Sequence, residues 1–474
     1  MNYEDFRKNA HQLVDWMADY LENKENYPVT PDVQPGDIFK QIPDLAPEES
    51  EEFGRIFRDF EQVILPGMSH WQHPSFFGYF PANNSAPSIL AEMLMSGLGA
   101  QCMSWLTSPA ATELEEKVLD WLREEKGFGP GWKGVIQDTA SSATLCALMA
   151  AREKASDFEV NQKGFPDGMR FRIYCSEQAH SSVDKAVRIL GLGENNLVKI
   201  AVDKSYAMEP KALKRAIEAD LSKGFRPICV VSSVGTTSSV AIDPVNEVGK
   251  ICNAFQLWHH IDAAFAGTAL LLPEFRWMVQ GLEFADSYVF NPHKWMFTNF
   301  DCSVLFVKDT DHWVRTFSLT PEYLRTTQDE HVNNYRDWGI QLGRRFRALK
   351  LWFVIRSYGL AGIRSKIREH IDLAKEAQDW IEEHPDLEVL VPNVLNTICF
   401  RYVGKSLSLE ELNELNSNWM ASVNASGKAF FTHTKLGGRY CIRWVIGQTD
   451  VERQSVAAAW QLLMEKLEEI SKQI

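Results

Sequence analysis

The sequence has no long hydrophobic run, no block of like charge and no paired cysteines, and each absence removes a class of protein. Its longest apolar run, residues 263–272, is too short for a membrane-spanning helix, which needs about 20 residues. The first twenty residues carry Glu4, Asp5, Asp15 and Asp19 without an apolar centre, so they read as neither a secretory signal nor a transit peptide. Lys and Arg total 49 against 63 Asp and Glu, a formal charge of −14, and no basic stretch interrupts that balance. A nucleic-acid backbone is therefore not an expected partner. The densest basic cluster, Arg344-Arg345-Phe346-Arg347, reads as a solvated or ion-paired helix face. Cysteines stand at 102, 146, 175, 229, 252, 302, 399 and 441 with no Cys-x-x-Cys and no zinc-like spacing to histidine. They read as buried free thiols in a reducing cytoplasm. No repeat or low-complexity tract is present. What remains is a 474-residue chain, 45% hydrophobic and 24% charged, long enough for one large core and a smaller domain.

Phe6, Leu13, Val14, Met17 and Leu21 lie at helical spacing, so residues 2–24 form an amphipathic helix whose apolar stripe needs a cover. Prolines 28, 31, 35, 43 and 47 follow and forbid regular structure until a second amphipathic helix begins near Glu48. A partner subunit is a natural cover for such an arm. From about Ser85 to Tyr358, helical stretches alternate with short β-branched runs: 171–173, 197–202, 228–231, 257–261, 288–290 and 304–307. That alternation predicts a mostly parallel sheet with helices on both faces, binding its ligand at the strand ends. After Gly359 a long helix runs to His384-Pro385. Short strands near 388–390, 397–402 and 439–445 and a last helix from Asp450 then predict a small α/β domain. The expected division is a helical and extended arm over residues 1–84, a large domain over 85–360 and a small domain over 361–474.

One lysine stands out. Lys294 lies in Asn291-Pro292-His293-Lys294-Trp295, and His260-Ile261-Asp262-Ala263-Ala264 precedes it. Apolar stretches lead into both, which fits two strand ends facing one pocket. An amine that binds pyridoxal phosphate covalently needs a carboxylate elsewhere to keep the pyridine nitrogen protonated, and Asp262 is the candidate. Asp138-Thr139-Ala140-Ser141-Ser142-Ala143-Thr144 precedes a helical run, so Ser141 or Ser142 falls at an N-cap. Such a helix start receives phosphate.

These motifs, together with Trp71-Gln72-His73-Pro74, Gln178-Ala179-His180-Ser181-Ser182 and Leu342-Gly343-Arg344-Arg345-Phe346-Arg347, run in order along nearly the whole chain. In them the chain resembles the group II pyridoxal-phosphate decarboxylases of the aromatic L-amino acid decarboxylase type. The resemblance implies fold type I, the aspartate aminotransferase-like fold, and a homodimer with its active site at the interface and the N-terminal segment packed on the other protomer. It implies pyridoxal 5'-phosphate held by Lys294, Asp262, His180, Ala140, Ser141, Thr237, Asn291 and Ala264. His180 would stack on the ring, and His293 would handle a proton.

The activity so implied is decarboxylation of an aromatic L-amino acid, of the tryptophan, phenylalanine, tyrosine or DOPA class, to an arylalkylamine and carbon dioxide. Such an enzyme must hold the substrate carboxylate out of the ring plane and then protonate Cα. Tyr323 in Thr320-Pro321-Glu322-Tyr323-Leu324 matches the lid tyrosine that does so. The polar stretch 325–334 after it has the character of a lid. Aldehyde synthases, which decarboxylate and deaminate oxidatively, typically carry phenylalanine there and are the alternative. A cofactor-binding scaffold without turnover is a third reading, opposed by intact Lys294, Asp262, His180 and Tyr323. Trp71, Tyr79, Phe80 and Pro81 suit a planar side chain. Gly343 matches a position where glycine leaves room for a bulky ring. Ala82 and Met103 replace hydroxyl-bearing and aromatic residues of some members, which points away from catechol selectivity. No metal and no membrane partner are expected.

Overall fold

The structure is a computed structural model describing residues 1–319, 331–404 and 407–472. The chain divides into two compact units, one of residues 82–378 with 389–399, the other of 1–81, 379–388 and 400–474. The arm expected over 1–84 thus groups, as far as residue 81, with C-terminal residues.

The larger unit is built on seven strands: β1 (Lys133–Gln137), β2 (Phe171–Ser176), β3 (Leu197–Ile200), β4 (Arg226–Ser233), β5 (Trp258–Asp262), β6 (Ser287–Phe290) and β7 (Ser303–Val307). They lie in the order β1-β7-β6-β5-β4-β2-β3. Pairing from β6 through β5, β4 and β2 to β3 is parallel, and β7 runs antiparallel to both β6 and β1. Successive side chains on a strand face opposite sides, and both sides here are covered. Ile173, Cys175, Val231 and Val289 pack with Ala143, Ala147 and Ala151 of helix Ala140–Ser156. Tyr174 and Val230 pack on the other side with Leu213, Ile217, Val248 and Cys252. Burial on both faces explains why these strands read as continuous apolar runs; each fully buried Val, Ile or Leu contributes about 1.5–3 kcal/mol.

The second sheet has β8 (Leu387–Val389), β9 (Thr397–Tyr402), β10 (Thr432–Leu436) and β11 (Arg439–Val445), ordered β10-β11-β9-β8. The smaller unit also holds helices Leu409–Ala425 and Arg453–Ser471. Its N-terminal helix, Tyr3–Glu22, is capped by the Asn2 side chain and buries no residue. Trp16 lies edge-on to Phe57 and Phe60, residues of a second helical stretch that begins at Phe53 rather than near Glu48. The proline-rich segment after the first helix, expected to be extended and irregular, instead includes turns and the 3-10 helices Lys24–Asn26 and Phe39–Gln41, and it is tied to its own chain. The Val29 N–H donates to Gly427 O at 2.9 Å, and the Lys24 ammonium pairs with the Asp450 carboxylate.

Helix Ala348–Glu383 is interrupted at Gly359, whose φ of 64° and ψ of 159° are not helical. The basic cluster lies ahead of this helix rather than on a helix face, and it is ion-paired. Arg344 bonds Glu115 at 2.7 Å, Arg347 bonds Asp301 at 2.6 Å, and Arg345 pairs with Glu92. All eight cysteines are free and buried. Among the described residues no helix is long and apolar enough to cross a membrane.

Candidate active site

Because β1 and β6 both run antiparallel to β7, the C-terminal ends of β1, β2, β4, β5 and β6 share one edge of the sheet. Ala140 and Ser141 follow β1, His180 follows β2 and Thr237 follows β4. Asp262 ends β5, and Asn291 and Lys294 follow β6. This is the edge at which open α/β sheets receive ligands.

The ends of β5 and β6 are tied to each other. Asp262 Oδ1 accepts the Ala264 N–H at 3.0 Å, and the Asn291 N–H donates to Ala264 O at 2.9 Å. Asn291 is oriented in turn by Ser303, whose hydroxyl donates to Asn291 Oδ1 at 2.7 Å. Lys294 follows in the short helix Pro292–Trp295. Burial lowers the Lys294 ammonium below its usual pKa while the Asp262 carboxylate opposes the shift. Burial also lowers His180, with Asp262 raising it and Lys294 lowering it further. The three groups therefore act on one another electrostatically, in one site.

Both histidines have a defined tautomer. His180 Nδ1 accepts the Ser182 N–H at 3.1 Å and lies 2.9 Å from the Ser182 hydroxyl, so its proton sits on Nε2. His293 Nδ1 accepts the Cys302 N–H at 2.9 Å, which likewise places the proton on Nε2. Burial and the neighbouring Lys294 push His293 down to about 3. A neutral ring with Nδ1 already engaged donates a hydrogen bond and does not take up a proton near neutral pH. Ser182, Cys302 and Ser303 were not among the residues anticipated from sequence, since a hydroxyl or amide that orients another side chain carries no motif of its own.

At the start of helix Ala140–Ser156 the cap is Thr139, not Ser141 or Ser142: its hydroxyl accepts the Ser142 N–H at 3.4 Å. The shift follows from the first helical bond, Ala143 N–H to Thr139 O at 3.1 Å. Ala140 and Ser141 thus fall in the first turn, where N–H groups have no intrahelical acceptor and attract an anion. Ser141 and Thr237 are exposed. An anion-receiving helix start with the exposed Ser141 hydroxyl, an amine shifted toward neutrality, a buried carboxylate and an accessible imidazole ring match pyridoxal phosphate group by group. The residues fit that cofactor.

The candidate substrate residues divide between the units. Trp71 stacks on Tyr79 with centroids 5.6 Å apart, and Arg443 lies 5.4 Å from the Phe80 ring centre; Pro81 is buried beside them in sequence. Ala82, Met103 and Gly343 belong to the larger unit. There Met103 O accepts the Arg336 N–H at 2.8 Å, and a Cβ on Gly343 would stand 3.2 Å from Gln101 Nε2. Tyr323 lies outside the described residues.

A family model described as the pyridoxal-dependent decarboxylase conserved domain matches residues 35–403. A phenylacetaldehyde synthase of Arabidopsis thaliana is 42% identical, over 98% of this chain and 96% of its own. The crystal structure of Catharanthus roseus tryptophan decarboxylase in complex with L-tryptophan superposes with a TM-score of 0.93 at 36% identity, covering 99% of each chain. That of Oryza sativa TDC with PLP and tryptamine gives 0.95 at 35%, again over 99% of each.

Proposed function

The chain belongs to the pyridoxal-dependent decarboxylase family, and from that premise we propose that it decarboxylates aromatic L-amino acids to arylalkylamines. The observation that carries the reading is the mutual electrostatic influence of Lys294, Asp262 and His180 at one sheet edge. Pyridoxal phosphate, when bound, supplies an electron sink for the bond to Cα that lies perpendicular to its ring. Lys294 is the amine that would hold it covalently, and burial favours the neutral, nucleophilic form. Asp262, fixed by the Ala264 N–H, would keep a proton on the ring nitrogen. Ala140, Ser141, Asn291 and Thr237 would hold the cofactor around its phosphate and ring, and His180 would hold the ring plane. His293 donates from Nε2. Tyr323 delivers the proton to Cα.

An aromatic substrate is supported by the relatives, which include tryptophan and tyrosine decarboxylases. The 42% identity to a phenylacetaldehyde synthase favours a second reading, oxidative production of an aldehyde, which tyrosine at position 323 opposes. A homodimer with the active site at its interface is supported by apolar surface on both units. Tyr3 and Phe6 on the first helix are 90% and 61% exposed, and Leu90, Leu94 and Leu98 of helix Ala86–Leu98 are each at least half exposed. A second copy covers both. The proposed compartment is the cytoplasm, where free thiols persist.

Product analysis tests the assignment. With tryptophan, phenylalanine, tyrosine and DOPA, the chain should release amine and carbon dioxide without consuming oxygen. Aldehyde with peroxide from the wild-type chain would instead establish the synthase. Tyr323→Phe should turn the output toward aldehyde, ammonia and peroxide while the cofactor absorption is unchanged. Amine at the wild-type rate from that variant would remove Tyr323 as the acid.

A further inference from the structure

The loop that carries Lys294 leaves β6 and returns to β7, and its two limbs are held by different means. On the outgoing limb the Lys294 N–H donates to Asn291 O and the Met296 N–H to Pro292 O, each at 3.0 Å, so the amine is set by its own short helix. On the return limb Cys302 closes the loop upon His293. The His293 N–H donates to Cys302 O at 3.3 Å, and the Cys302 N–H donates to His293 Nδ1 at 2.9 Å. Phe300 lies on the His293 imidazole with ring centroids 4.3 Å apart. Phe300 is itself 58% exposed, so its own burial does not hold it there.

One buried ammonium fastens this return limb from behind. Lys350, on helix Ala348–Glu383, has no exposed surface. Its Nζ donates to Asn299 O at 3.1 Å and to Asp301 O at 2.9 Å, the carbonyls of the two neighbours of Phe300, and pairs with Glu92 Oε2 at 3.1 Å. Three N–H bonds thus meet three oxygens, the full donor complement of a lysine. A charge so deeply buried persists only where such a complement is made.

We propose that Lys350 is a positioning residue for the reaction: by gripping the carbonyls of Asn299 and Asp301 it seats Phe300 and Cys302 on His293, so that His293 presents its Nε2 donor in a fixed direction. The proposal rests on the reading of His293 given above. The charge of Lys350 also reaches His293, where it adds to burial and Lys294 in keeping the ring neutral. The grip depends on that charge. Burial lowers the Lys350 ammonium to about 8; Cys302 and Asp301 oppose the shift, Arg345 and Arg347 add to it, and Glu92 faces it from helix Ala86–Leu98. A neutral amine brings two N–H bonds to the three oxygens and turns a lone pair toward the third. Raising pH through about 8 therefore loosens the return limb and leaves Lys294 on its own helix.

The test follows carbon dioxide release by the full-length, cofactor-loaded chain from about pH 6 to 9, with whichever of tryptophan, phenylalanine, tyrosine and DOPA it turns over fastest. Wild type is compared with Lys350→Met, with His293→Asn, which lacks the Nε2 donor, and with the double variant. Near neutral pH, Lys350→Met should lower kcat about tenfold or more while KM and pyridoxal phosphate affinity change about twofold or less. The double variant should be about as slow as His293→Asn, because both act through one contact. In wild type kcat should fall as pH rises through about 8, and that step should be absent from Lys350→Met. Cofactor affinity lost in proportion to kcat, or multiplied losses in the double variant, would overturn the proposal by showing a general structural defect. A normal Lys350→Met beside a slowed His293→Asn overturns the proposal alone; a normal His293→Asn overturns the reading beneath it as well. Should Lys350→Met fail to fold, the wild-type profile decides: a fall in kcat centred near 8 upholds the proposal, and a level kcat from about pH 7 to 9 overturns it.

Discussion

Burial acts on Lys294 and His293, adjacent in sequence, in one direction: it favours the uncharged form of each. The amine becomes a nucleophile, whereas the imidazole becomes a fixed donor. Lys294→Ala should abolish turnover while pyridoxal phosphate still binds non-covalently, seen as quenching without the lysine-bound absorption band; retained turnover would refute the assignment. Asp262→Ala should lose about a hundredfold or more in kcat, and saturating cofactor should not restore it, since the defect is electronic. Because His293 falls to about 3, it stays neutral across the working range. His293→Asn, which keeps an acceptor for the Cys302 N–H, should leave the acidic limb of the kcat/KM pH profile in place. Disappearance of that limb would show that His293 titrates in the reaction.

At the scale of elements, the helix start at Ala140 and the helix Tyr3–Glu22 make contrasting demands. Thr139→Ala removes the cap of the first and should lower stability by about 1 kcal/mol, with a loss of pyridoxal phosphate affinity beyond that of pyridoxal. The second buries nothing of its own, so removing residues 1–47 should give aggregates or inactive monomer in sedimentation; an active monomer would show that the arm is dispensable. The buried strands of the larger sheet are legible because burial on both faces writes them as apolar runs: β6 and β7 lie within a residue of their expected bounds at each end. The strands that escaped, β1 and β10, lack that signature. β1 opens with Lys133-Gly134, and β10, Thr-His-Thr-Lys-Leu, buries only its last residue. Of the site, the residues set by strand ends were legible. The cap was not, since Thr139, Ser141 and Ser142 all suit it and only the first backbone bond decides. Nor were the orienting partners Ser182, Cys302 and Ser303, which act through contacts that sequence does not order.

Across the whole molecule, the six buried histidines share one sign of pH dependence. Burial lowers His259, His293 and His370 to about 3, His73 and His260 to about 4, and His70 below its usual value. Folded pKa values below the unfolded one give stability that is present above about 6.5 and lost as pH falls toward those values. Asp243 has the opposite sign: burial raises it to about 7, so its contribution falls as pH rises from about 4 through 7. Five such histidines against one carboxyl leave about four protons taken up on unfolding, or roughly 5 kcal/mol per pH unit between about pH 6 and 4. Calorimetry should therefore find Tm dropping steeply over that interval; a flat Tm would contradict it. The buried thiols lead to a different kind of consequence. Burial pushes Cys146, Cys175 and Cys302 up to about 12, so the folded chain offers a thiol reagent neither access nor thiolate. Modification then waits on opening and keeps time for it. Cys441 is the sole cysteine of the smaller unit and the other seven belong to the larger, so the chain carries a separate, natural stopwatch for the unfolding of each part.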